Sequence, residues 1–148
     1  MSLKLLLLFL HLLFVATWLG CILVEAVYEH SIEPSASMRE FIAQLHWTTD
    51  KYIEVPAIVG VLLSGGWLLS LTAITPLLLM KIGFGLLAVL FNMFCVVLVI
   101  KRMTAVRKRD FQRYEKLDRL QHKFGAVVLF GVVVALGIGG YLFAQGRY

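Results

Sequence analysis

The sequence predicts an all-α integral membrane protein: an antiparallel bundle of four transmembrane helices with no soluble domain. Three observations predict it. First, 60% of the 148 residues are hydrophobic and only 16% charged, with mean hydropathy +0.86. A soluble domain is about half apolar and about a quarter charged, so the surface of a soluble globular enzyme cannot be assembled from this composition. Second, four apolar stretches each approach the ~20 residues that cross a bilayer, and they leave room only for short connections within a single domain, 1–148. Third, nine of the fourteen Lys and Arg residues fall between positions 101 and 123 with three acids among them, a local net charge of +6. In an apolar chain such a cluster signals topology rather than nucleic-acid binding.

Span one covers about 5–24 and is broken only by His11. It reads as a span rather than a signal peptide: one basic residue, Lys4, precedes it, the apolar run is long, and no small-residue cleavage site follows. A polar connection extends from Glu25 to about Glu54. Ser37 followed by Glu40 has the spacing of a capping box, which predicts a helix start at Ser37 leading into span two, about 55–75. Pro56 is tolerated near the start of that span, and Thr75-Pro76 predicts a tight turn. Span three covers about 77–100 and carries Lys81 and Asn92. The segment 101–123 is expected as a basic cytoplasmic loop, and span four covers about 124–144. The positive-inside rule then puts this loop in the cytoplasm and both termini outside. Cys21 and Cys95 lie within apolar runs and form no disulfide framework.

The chemistry-bearing residues fall at two depths. His11 and Lys81 each sit ~8–12 Å below the outer helix ends at 1.5 Å per residue, and ionisable groups inside a span usually face the bundle interior. Gly65, Gly66, Gly83, Gly85, Gly137, Gly139 and Gly140 lie near that depth, where missing side chains admit a flat ligand or a close backbone. His11, Trp18 and Glu25 are spaced by seven on one stripe. Lys81, Gly85, Ala88, Asn92, Cys95 and Val99 form a second inward stripe. Near the cytoplasmic face, His46, Asp50 and Glu54 follow one another by four, as do Asp118 and His122, and Glu25, Glu29 and His30 close span one. Histidines and carboxylates on facing helices suit a transition metal, and His46 with His122 would serve as the axial pair of a haem. The ordinary reading of the carboxylates is a solvated polar mouth, salt-bridged to the basic loop. No Gly-x-Ser-x-Gly elbow, phosphate loop, Cys-x-x-Cys or Cys-x-x-Cys-His motif occurs.

The run from Leu10-His11-Leu12 through Trp18-Leu19-Gly20, ending in Tyr28-Glu29-His30, resembles the first helix of HemJ-type protoporphyrinogen oxidases and CopD-like bacterial membrane proteins. The stretch from His46 through Asp50 to Glu54-Val55-Pro56-Ala57, with Gly65-Gly66-Trp67-Leu68, is similar to their second helix, and Met80-Lys81-Ile82 to the start of their third. The resemblance implies haem b on the residues that match the HemJ histidine and lysine, here His11 and Lys81. Val24-Glu25-Ala26 stands where a Pro-Arg pair is expected, a departure that touches porphyrinogen oxidation more than haem binding.

The expected function is therefore that of a haem b protein of the bacterial inner membrane, in electron transfer or a haem-linked redox step. As an enzyme it would be a membrane haem-dependent oxidoreductase. One haem is expected at His11 and Lys81, and His46 and His122 are candidates for a second haem or a metal, with Asp50, Glu54 and Asp118 as ligands or pairs. Lys81 would supply either an iron ligand or a partner for a propionate. The alternatives are a CopD-like protein handling copper or another transition metal, for which Met80, Met93 and Cys95 are the soft donors, and a small subunit of a larger membrane complex. Candidate partners are the lipid bilayer, a quinone, a redox partner protein and a second copy of the chain, but not nucleic acid.

Overall fold

The computed structural model describes residues 2–31 and 35–146. The chain forms α1 (Leu3–Ser31), α2 (Ala36–Thr49), a π turn (Asp50–Glu54), α3 (Val55–Ser70), α4 (Pro76–Arg107) and α5 (Phe111–Ala144). The π turn joins α2 to α3, so that 37–70 is one long rod, and four helices are long and apolar enough to cross a membrane. The fold is the expected all-α bundle, and the protein is a multi-pass membrane protein. Large apolar side chains such as Phe9, Leu13, Leu63, Leu79 and Phe130 point outward. In water such a surface would be unstable; against acyl chains it costs nothing.

Helix boundaries follow local chemistry. The cap of α2 is Ser35, two residues before the expected Ser37: its backbone is extended and its hydroxyl accepts from the Met38 N–H. A cap must stand three residues before the N–H it satisfies, and Ser37 is already inside the first turn, its hydroxyl 3.3 Å from that of Ser35. Thr75 caps α4 by accepting from Leu78 N–H, with Pro76 at the first helical position. Span two ends at Ser70, earlier than expected, and residues 71–75 make the link.

The largest correction concerns 101–123. The expected loop is helical except at Lys108–Asp110, because α4 continues to Arg107 and Asp110 caps α5 by accepting from Arg113 N–H. Arg109 turns the corner in the left-handed region, at φ 56°. Positive charge marks a segment as non-spanning but does not oppose helix, since Lys and Arg are good helix formers. Both helices therefore project past the apolar zone as an antiparallel hairpin.

Helix α1 packs on α3, α4 packs on α5, and α2 lies against α4. Trp18, Ala57, Ile58, Ala88, Cys95, Val128 and Val132 form the central core. Close approach is bought with glycine: the Phe14 ring occupies the place a Gly60 side chain would take, and Ala88 and the Phe84 carbonyl crowd Gly131. At the basic end a smaller core of Ala43, Ala105, Val106 and Tyr114 binds α2 to the α4–α5 hairpin.

Candidate functional site

Inside the basic end lies a buried polar cluster centred on His46. Helix α1 supplies Glu25 and Glu29, one turn apart, and α2 supplies His46. The imidazole Nδ1 is 2.8 Å from Glu29 Oε1, and Nε2 is 3.1 Å from Glu25 Oε2 and 3.6 Å from Asp50 Oδ1. Asp50 opens the π turn, in which the Val55 N–H reaches back to the Asp50 carbonyl. π turns are uncommon and collect at functional sites. Here the turn presents Asp50 and Glu54 to the interior, and Asp50 is only 1% exposed.

Arg102 anchors the other side. One guanidinium nitrogen lies 2.7 Å from Glu29 Oε1 and 2.6 Å from Gln121 Oε1; the other lies 2.7 Å from Asp118 Oδ1 and 3.0 Å from the Tyr114 hydroxyl. A buried charge persists only when paired and hydrogen-bonded, and Arg102, 1% exposed, meets both conditions. Deeper in the bundle, Asn92 donates to Glu54 Oε2 and accepts from the Trp18 indole, each at 3.1 Å. These bonds tie α1, the π turn and α4 together, the interhelical role that small amides commonly play in membranes.

His46 and His122 come together, but on one carboxylate. His122 Nε2 is 3.3 Å from Glu29 Oε2, and its Nδ1 is 2.8 Å from the Asp118 carbonyl. Glu29 therefore stands between the two imidazoles. The cluster is also not the solvated mouth expected of its carboxylates: Glu25, Asp50 and Glu54 are all buried.

The opposite end holds the second predicted pair. His11 is 8% exposed, and its Nδ1 lies 3.0 Å from Ser64 Oγ. The Ser64 hydroxyl donates to the Gly60 carbonyl at 2.5 Å, so its proton is committed. Nδ1–H donating to Oγ is the tautomer that fits this contact, and it would leave the lone pair on Nε2. Lys81 is the charged neighbour of His11. A side chain at Gly65 would strike the His11 ring, and one at Gly139 would strike the Lys81 stem. These two glycines make room for the two ionisable groups, whereas Gly66, Gly83, Gly85, Gly137 and Gly140 border open space.

Arg102, Tyr114, Gln121 and Ser64 are the polar partners that the sequence reading missed. Arg102 was grouped with a solvated loop, yet it continues the stripe of Asn92, Cys95 and Val99 at helical spacing. Tyr114, Gln121 and Val128 are likewise spaced by seven and buried. The signal existed in both cases, but on residues taken to be outside a helix. No family model, curated protein or solved structure matches the chain.

Proposed function

We propose that the protein binds haem b in the bacterial inner membrane, with both termini periplasmic, and that it acts in electron transfer or a haem-linked redox step. The observation that carries this reading is the buried His11 imidazole with its Nδ1 on Ser64 Oγ at 3.0 Å. A buried imidazole without a partner loses a few kcal/mol of hydration. Ser64 partners one nitrogen of His11, and with that nitrogen as the donor the other would be a directed lone pair in an apolar span. Metal-bound histidines are held this way, with the second ring nitrogen donating to a fixed acceptor. The donor set would therefore suit a haem iron.

When bound, haem would supply one-electron chemistry. The chain's own contribution is orientation and dielectric: Ser64 holds the ring of His11, the apolar helices exclude water, and Lys81 places a cation for a propionate or an amine for the iron. The Glu29 carboxylate between His46 and His122 favours a single haem. Copper(I) handling is the weaker alternative, because Met80 and Met93 face outward and a soft-ligand cluster is what copper(I) would need. A pyridine haemochrome assay on the purified protein should give one haem per chain, unchanged in His46→Ala and His122→Ala. A ratio of two that falls with either change would restore the inner pair as ligands, and no haem at all would remove the reading.

A further inference from the structure

The buried cluster at the basic end is independent of His11, and its geometry calls for a cation. We propose that Glu25, His46 and Asp50 form a binding site for a divalent transition-metal ion of the manganese, iron or zinc class. One ligand atom from each residue lies within 4.8 Å of the others, and all three residues are buried.

The first argument is an unmet valence. Asp50 is 1% exposed, and among the described residues neither of its carboxylate oxygens meets an N–H or hydroxyl donor within hydrogen-bond distance; Glu25 Oε1 is in the same position. Buried polar atoms are nearly always satisfied. Here three oxygens on two adjoining carboxylates lack a donor, and Asp50 Oδ1 is aimed at His46 Nε2 from 3.6 Å.

The second argument is charge. The interior holds the carboxyl groups of Glu25, Glu29, Asp50 and Glu54, and Arg102 is the buried guanidinium opposite them. Arg102 is turned toward Glu29 and Asp118. The charged neighbours of Asp50 are His46 and two more carboxyls, Glu54 and Glu25. A dication would supply counter-charge to these carboxyls at low dielectric.

The third argument is the arrangement behind the imidazole. His46 Nδ1 meets Glu29 at 2.8 Å, and Arg102 in turn holds Glu29 at 2.7 Å. A carboxylate behind a histidine fixes the tautomer and points the other nitrogen at the metal. Nε2 is the nitrogen that faces Glu25 and Asp50, with the Gln121 amide nitrogen also 3.1 Å from it. Nitrogen and carboxylate donors select manganese, iron or zinc over copper(I).

A neighbouring group shows why the site is at Glu25, His46 and Asp50 and not elsewhere. Glu29, Asp118 and His122 also offer ligand atoms within 4.8 Å of one another. Arg102 already bonds both of those carboxylates, so the cation position there is filled by the protein.

Chelator-stripped full-length protein in detergent should bind a single Mn2+ per chain, read by electron paramagnetic resonance, with Zn2+ competing for it. Asp50→Asn and His46→Ala should each weaken binding by about 100-fold or more, and Glu29→Gln by about 10–100-fold. Glu25→Gln, a change of similar size, gives a second ligand test should Asp50→Asn fail to fold. Asp118→Asn and His11→Ala should leave Mn2+ binding intact, which separates this site from the haem reading. A wild-type protein that binds no Mn2+ or Zn2+, or binding that survives both Asp50→Asn and Glu25→Gln, overturns the proposal.

Discussion

Arg102 satisfies Glu29, Asp118, Gln121 and the Tyr114 hydroxyl at once. Arg102→Met keeps the apolar stem but strands buried Glu29, so stability should fall by about 3–5 kcal/mol, visible as a lower thermal aggregation temperature in detergent. Wild-type stability in that variant would mean the network is electrostatically idle. At the other end, Lys81→Met separates two roles: if Lys81 ligates iron the absorption bands should shift and the potential rise, and if it pairs with a propionate the bands should hold while haem retention weakens. The buried stripe His11–Trp18–Glu25 was legible from heptad spacing alone, and so was the inward face of α4 from Ala88 to Val99. Arg102 and Gln121 were not, because charge counting treats every basic-segment residue as solvated. Eight of the nine Lys and Arg residues between 101 and 123 are indeed exposed. A guanidinium is buried only where acids from other helices converge, and that convergence depends on packing rather than on spacing along one helix.

Helix ends obey short-range rules, and errors at this scale come from choosing between adjacent candidates. Ser35 and Ser37 have the same capping chemistry, and the backbone conformation selects the first. The α4–α5 turn was hidden because the basic run has good helix propensity on both sides of it. Two changes test that turn. Asp110→Ala removes the acceptor for Arg113 N–H and should cost about 0.5–2 kcal/mol. Arg109→Gly frees the left-handed residue of a strain of about 1–2 kcal/mol, partly offset by the flexibility of glycine in the unfolded chain, so stability should rise by a few tenths to about 1 kcal/mol. Thermal unfolding followed by circular dichroism reads both, and opposite signs are expected. Equal destabilisation would mean that Arg109 makes a side-chain contact that outweighs its backbone strain.

For the molecule as a whole, composition carried the fold class and the number of spans, since both depend on sums over many residues. Under the proposed orientation, net charge +6 on one flank would put the hairpin tip in the cytoplasm by the positive-inside rule. A C-terminal alkaline phosphatase fusion should then be active and a C-terminal green fluorescent fusion dark; the reverse pattern would invert the bundle. The depth match of His11 with Lys81 was also readable, because rise per residue is constant along a helix. The link from His11 through Ser64 to the Gly60 carbonyl was not readable, since it depends on how α1 and α3 are rotated against each other. That link carries the central claim, and an absorption spectrum tests it most directly. Purified protein, air-oxidised and then reduced with dithionite, should show haem b bands in the wild type, and these should be abolished or grossly altered in His11→Ala protein that still inserts into the membrane. Wild-type bands and haem content in His11→Ala would contradict the account and leave His11 as a packing residue bonded to Ser64.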